Sequence, residues 1–338
     1  SPERIIMRFT DINLQLFATA VNVTTANTSG NDLSVEMKTF YSDYLIDMAK
    51  PNLVHTQFGQ KHNIPKNNGK TIEFRKYSPL PKATTPLTEG VTPNGRELNV
   101  SSITATVAQY GDWVGISDML DLTAIDNNII EATKLLGTQA GQTIDTIHRE
   151  ILNGGTSVQY GNGTTVTSRA NLTANDKMSV EVIERAVRFL KTQNAPKING
   201  DYVAIIHPDV AYDLRRDPAW IDAHKYARPE ELYDGEIGKI AGVRFVETTE
   251  AKVWANAAAG NSKSVYSTLF LGDNAYGVTE VTGGGLQTMV KQLGSAGTAD
   301  PLNQRATVGW KAITVLERLV ETYMLRVETT STFDSPNN

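Results

Sequence analysis

Residues 63–117 constrain the fold more than any other part of the chain. Lys70 to Lys76 (KTIEFRK) alternates apolar and polar residues, the signature of a strand. Pro79, Pro81, Pro86, Gly90, Pro93 and Gly95 then fall within seventeen residues. That density excludes a helix, because proline lacks the backbone donor and clashes with the preceding turn. Leu98 to Val107 (LNVSSITATV) returns as a second strand-like run. The segment between them is far longer than an ordinary hairpin turn. The pattern predicts a long two-stranded excursion with an irregular, polar tip. A lone ribbon of this kind is marginal in water, so something outside the subunit core must support it.

The rest of the chain alternates helix and strand signals. Residues 8–30 are polar, Thr- and Asn-rich and aperiodic, and read as an extended arm. Residues 1–6, ahead of Met7-Arg8-Phe9-Thr10, read as a start-site or expression remnant. Leu33, Met37, Phe40/Tyr41, Tyr44/Leu45 and Met48 recur with helical spacing; Asn31 or Asp32 can cap that helix and Pro51 stops it. Leu122, Ile125, Ile129, Ala132, Leu136, Ala140, Ile144, Ile147 and Ile151 predict one long amphipathic helix ending at Asn153-Gly154-Gly155. Within it, Gly137 and Gly141 leave room for another element to pack closely. Residues 154–176 read as loop or hairpin. A helix over Val180–Leu190 is capped by Ser179. Tyr202–Ile206 is a buried strand, followed by a short helix over Val210–Arg215; 217–238, with Trp220, His224 and Tyr226, reads as irregular. Strands are expected at 243–246, 265–271, 286–293, 307–315 and 323–327, with a break at Gly283-Gly284-Gly285 and a polar tail from Ser331.

The chemistry is notable for what is missing. The chain of 338 residues has no cysteine, which removes disulfides, thiol nucleophiles and Cys-based metal sites. A net charge of -5 argues against gripping nucleic acid through bulk charge. No apolar run reaches the ~18–20 residues of a membrane span. Gly272-Asp273-Asn274-Ala275-Tyr276-Gly277 lacks the Lys-Ser/Thr of a phosphate loop, and no His-Glu-x-x-His or Gly-x-Ser-x-Gly occurs. His55, His62, His148, His207 and His224 show no ligand spacing, and hydrogen-bonded or solvated roles are expected for each. His207-Pro208-Asp209 follows a strand, as many sites do, but helix initiation explains it better. Capping likewise explains Asp118, Asp121 and Asp126, and Arg215-Arg216 reads as locally paired with Asp213 and Asp217. Catalytic, cofactor and metal sites are therefore all expected to be none. In the excursion, Arg75, Lys76, Lys82, Glu89, Arg96 and Glu97 have two readings. They belong either to a solvated ribbon or to a reaching arm whose charges pair with a neighbouring subunit.

Several segments together resemble one family. Asn13-Leu14-Gln15-Leu16-Phe17-Ala18, the helix with Phe40-Tyr41 and Leu45 running into Ala49-Lys50-Pro51, and Val203 to Val210 with Asp213-Leu214 are similar to the major capsid proteins of tailed bacteriophages. So are Gly235-Glu236-Ile237-Gly238, Ala241 to Thr248, Gly297 to Arg305, and Val308-Gly309-Trp310-Lys311. The resemblance runs from Met7 over nearly the whole chain.

It implies an α+β, Hong Kong 97-like shell fold with an N-terminal arm, an extended β-hairpin loop, a long spine helix, a peripheral domain and an apical domain. The implied division is arm 1–30, N-terminal helix region 31–62, extended loop 63–117, peripheral domain with spine helix 118–199, apical domain 200–284, peripheral return strands 285–330 and tail 331–338. The implied role is a non-enzymatic shell protein of the virion, assembled in the host cytoplasm as hexamers and pentamers around double-stranded DNA, without sequence-specific DNA binding and without a membrane. The loop residues become inter-subunit contacts. Portal and decoration proteins are implied partners. A separate scaffold protein is expected, because the chain has no room for the scaffolding segment that some relatives carry. Some relatives also cross-link Lys to Asn. Lys82 and Asn94 lie in the loop, but no glutamate can be assigned as catalyst, so no cross-link is expected. Two other readings are a nanocompartment shell of the encapsulin type holding protein cargo, and a motif-less α/β hydrolase or binding protein.

Overall fold

A computed structural model of the chain describes residues 45–49, 52–65, 69–77, 80–92, 94–123, 128–161, 165–224, 238–261, 263–281, 284–295, 300–336 and 338. The expected arm, most of the helix expected from Leu33, and Pro79, Pro93, Asp126, Tyr226 and Gly283 lie outside them.

Residues 45–49 are helical. Strand β1 (Gln60–Ile64) leads to the ribbon strands β2 (Thr71–Tyr77) and β3 (Val100–Thr106). These two pair antiparallel, from Thr71 with Thr106 to Tyr77 with Val100. After a break at Val107 the chain continues as β4 (Ala108–Ser117), a short helix α1 (Asp118–Thr123) and the long helix α2 (Asn128–Asn153). At 26 residues, α2 is about 39 Å long. Then follow β5 (Val158–Tyr160), α3 (Val180–Thr192), β6 (Tyr202–Ile206), α4 (Pro208–Arg215) and α5 (Pro218–His224). The chain ends with β7 (Lys239–Ile240), β8 (Val243–Glu247), β9 (Val253–Trp254), β10 (Val265–Leu271), β11 (Tyr276–Val281), β12 (Gln287–Lys291), β13 (Arg305–Arg318) and β14 (Met324–Thr330).

The strands form two large sheets. In one, β13 is central: β11 and β12 pair with successive stretches of it, β4 pairs with residues 305–314, and β1 extends the sheet beyond β11. In the other, the order is β5-β14-β10-β6-β8-β7, with β9 also on β10. The α+β expectation holds, and the ribbon is a third, two-stranded sheet.

Three cores follow. Ile183, Val187 and Leu190 of α3 pack on one face of the seven-stranded sheet, against Tyr202, Ala204, Ile206, Phe245 and Phe270. Alternation along those strands turns Ile205, Leu269 and Leu271 to the other face. There they meet Val54, Leu152, Tyr276, Val278 and Leu316, which joins the two sheets. Leu136, Ala140 and Ile144 of α2 pack on Val308, Trp310 and Ala312 of β13, with Leu45 beside them. Each fully buried Leu or Ile contributes about 1.5–3 kcal/mol.

The structure amends several expectations. Gly137 and Gly141 admit residues 45–49 and Asn52: a Cβ at Gly141 would lie 2.6 Å from the Ala49 carbonyl oxygen, and one at Gly137 2.7 Å from that of Leu45. Residues 154–176 hold no hairpin among the described residues; β5 instead pairs parallel with β14. The stretch expected to be irregular contains α5, because Pro218 opens it and Asp217 Oδ1 accepts from the Ala219 amide at 3.1 Å. Trp220 packs edge-on against Phe245 there. The cores also group residues differently from a division at 199/200. Helix α3 shares its core with β6, and β14 lies in the seven-stranded sheet while β11 lies in the sheet of β13.

Candidate assembly surface

The root of the ribbon is held by its own chain. Phe74 lies over Gly277, where a Cβ would come within 3.0 Å of its ring, and meets the His62 ring edge-on at 5.1 Å. Ala105 is buried, and the Val107 amide donates to the Lys70 carbonyl at 3.0 Å. Beyond Tyr77 and before Val100 the described backbone carries no strand or helix. Leu80, Leu87, Val91 and Leu98 are 54%, 77%, 62% and 67% exposed. Apolar side chains left bare along one projection mark a contact surface.

The predicted contact residues fall into three groups. Lys82, Glu89, Arg96 and Glu97 are exposed on the irregular tip. Arg75 is on β2 and pairs loosely with Glu73 at 3.9 Å, which makes it part of the solvated root. Lys76 is on β2 opposite Ser101.

A second surface, not anticipated from the sequence, lies on the sheet of β13. The Trp310 indole donates to Gln139 Oε1 of α2, so its neighbours Gly309 and Lys311 face away from that helix. On that outer face the lateral pairs are Trp113 with Gly309, Met289 with Gly309, and Lys291 with Thr307. Glycines floor it: a Cβ at Gly309 would lie 2.9 Å from Trp113 Cβ. The result is a groove of about 510 Å³ with an exposed Trp113, a half-exposed Met289 and two lysines, Lys291 and Lys311, along it. On the other face Asp112 accepts from Gln139 Nε2 at 2.7 Å and from the Trp113 amide, which together hold its carboxyl below the ordinary value. At the end of β4, Met119, Leu120, Leu122 and Leu302 are also exposed, where the Asp118 amide donates to the Gln304 carbonyl. The sequence did hold one signal. Trp113 and Val114 are adjacent in a strand, so one of them must leave the face that α2 covers.

The dismissed candidates are accounted for by local structure. His207 Nδ1 accepts from the Asp209 amide at 3.2 Å and caps α4. Asp209 Oδ2 accepts from the Tyr266 and Ser335 hydroxyls, and burial raises the Tyr266 pKa to about 12. The cap of α1 is Ser117 and not the expected Asp118: the Ser117 hydroxyl accepts from the Leu120 amide at 3.3 Å, while the Asp118 carboxylate accepts from the adjacent Met119 amide in the first turn. The expected pairing of Arg215-Arg216 with Asp213 and Asp217 is overturned. Arg215 reaches Glu247 at 2.9 Å and Arg216 reaches the Tyr212 hydroxyl. Asp213 accepts from Ser331 and Thr332, and Asp217 from the Val180 amide. The aspartates serve backbone and tail donors that the sequence does not place nearby. Among the described residues no group of three His, Cys, Asp or Glu side chains could hold a metal ion, and no helix is long and apolar enough to cross a membrane.

Known proteins bear on this surface through their folds. The family described as "Phage capsid protein" matches residues 100–316. No curated protein sequence matches the chain. Among solved structures, the capsid of Ralstonia phage GP4 superposes with a TM-score of 0.64 at 19% identity, covering 84% of this chain and 90% of that one. The capsid asymmetric unit of cyanophage Pam1 gives 0.69 at 17% identity, covering 86% and 93%. The mature capsid of bacteriophage PhiM1 gives 0.57 at 12% identity, covering 80% and 85%. At these identities the likeness is one of fold, and that fold is the Hong Kong 97 type expected above.

Proposed function

The chain belongs to the phage capsid protein family, and we propose that it is the major subunit of an icosahedral head enclosing double-stranded DNA. The observation that carries the assembly reading is the bare tip of the ribbon: four exposed apolar side chains on a segment that its own subunit does not cover. Residues 63–117 would lie over an adjacent copy, with Lys82, Glu89, Arg96 and Glu97 meeting charges there and Arg75 and Lys76 nearer the root. Repeating such contacts around closed hexamers and pentamers lets each one be weak while the lattice is stable.

In this reading the sheet of β13 with α2 is the peripheral domain and spine helix, and the seven-stranded sheet with α3 and α4 is the apical domain. The protein works by assembly and not by catalysis. A separate scaffold protein, a portal and decoration proteins are its expected partners, and the host cytoplasm is where it assembles before residing in the virion. DNA is enclosed without sequence-specific contacts, in keeping with the net charge of -5.

Negative-stain microscopy of the expressed protein, with and without a scaffold, tests this. Shells, tubes, hexamers or pentamers are expected. A monodisperse monomer under both conditions would overturn it.

A further inference from the structure

Beneath the root of the ribbon lies a buried polar cluster that assembly does not use. Asp145 and His148 project from α2, and both are fully buried. Asp145 Oδ1 accepts from the His55 amide and Oδ2 lies 2.7 Å from His55 Nδ1. The His148 ring is bracketed, with Nδ1 2.9 Å from Thr56 Oγ1 and Nε2 3.3 Å from Thr314 Oγ1 on β13. From β11, the Tyr276 hydroxyl donates to the His55 carbonyl at 2.6 Å. One turn along α2, the Arg149 guanidinium is turned elsewhere, to Glu150 and the Glu250 carbonyl. The cluster therefore clasps residues 55–56 between α2 and the sheet. A short turn later comes β1, an edge strand whose strand partner among the described residues is β11, in parallel, and then the ribbon.

We propose that His55, Asp145 and His148 form an acid-sensitive latch that fixes residues 55–64, and with them the root of the ribbon, to the long helix and the sheet. Burial, the largest cause, depresses the His148 pKa to about 4 against an ordinary 6.5; Asp145 opposes this and His55 assists it. The sign follows from linkage. The closed latch holds His148 neutral, while an opened one lets it protonate below 6.5. Closure is thus fully favoured above 6.5 and weakens as pH falls towards 4. The opening equilibrium should rise about 10-fold per pH unit, to roughly 300-fold in all. Opening would free β1 and loosen the ribbon while the seven-stranded sheet, which shares none of these residues, stays folded. The consequence for a shell rests on the assembly reading; the latch itself does not.

Hydrogen exchange of the unassembled subunit from pH 7.5 to 4.5, corrected for intrinsic rates, tests it. Amides of residues 55–64 should lose protection below pH 6.5 while those of 203–206 and 265–271 keep theirs. In His148→Gln, whose amide can bond both hydroxyls without charging, protection of 55–64 should stay flat. Flat protection in the wild type, loss shared with 265–271, or an unchanged slope in His148→Gln would each overturn the latch. Should that variant fail to fold, the ring titration of His148 in the wild type decides. A proton taken up near 6.5 with residues 55–64 still protected would refute the proposal.

Discussion

Replacing Gly141 by alanine should destabilise the subunit, although alanine is the better helix former. In an exposed helix interior the exchange would gain about 1 kcal/mol. Here the added methyl would lie 2.6 Å from the Ala49 carbonyl oxygen, 2.9 Å from Asn52 Cβ and 3.2 Å from the Ala49 carbonyl carbon. Two of those three atoms are backbone, so no rotamer change relieves them. Residues 45–49 and Asn52 must move off α2, at a cost of about 1–3 kcal/mol for overpacking in a filled core. Adding the lost contacts of Leu45, which is fully buried on Leu136 and Ala140, the net loss should be about 1–2 kcal/mol. Gly137→Ala meets the same segment, and the double variant should lose less than the sum, because one displacement relieves both clashes. The measurement is urea unfolding of the unassembled subunit by circular dichroism, with Gln142→Ala on the exposed side of α2 as control. Equal or greater stability in Gly141→Ala would refute the close approach.

Three further outcomes follow from the same geometry. Removing residues 331–338 strips Asp213 of its Ser331 and Thr332 donors and Asp209 of Ser335. Thermal unfolding should show a loss on the order of 3 kcal/mol, since the deletion removes several hydrogen bonds to charged carboxylates at once. Phe74→Ala removes the ring over Gly277 and should cost about 2 kcal/mol, with faster hydrogen exchange confined to β2 and β3. Trp113→Ser should leave subunit stability within about 0.5 kcal/mol because the ring is 65% exposed, yet lower the yield of sedimenting particles.

How much of this was legible in the sequence depends on what each residue packs against. The ribbon was readable because alternation and proline are local signals, and the observed register from Thr71 to Val100 matches it. The long helix was readable from Ile129 to Ile144, whereas Leu122, expected on its buried stripe, lies in α1 and is exposed, and Ile125 lies outside the described residues. Beyond Ile144 its buried stripe carries Asp145, His148, Arg149 and Asn153 while Ile147 and Ile151 are only half-buried. A pattern built on apolar residues cannot see a face buried through polar pairing. The tail was read only as polar. Its anchoring depends on Asp209, Asp213, Lys252 and Lys263, more than sixty positions away. The groove was missed because its floor is glycine, and glycine carries no hydropathy signal of the face it occupies. Family resemblance supplied the shell reading; periodicity alone stopped at a subunit that completes itself elsewhere.

The most direct test of that last idea deletes residues 79–95 and measures folding and assembly on the same sample. Unchanged circular dichroism and unfolding midpoint are expected, since every described residue of the tip is exposed, together with loss of closed shells by sedimentation and microscopy. Shells formed in normal yield by the deleted chain would contradict it.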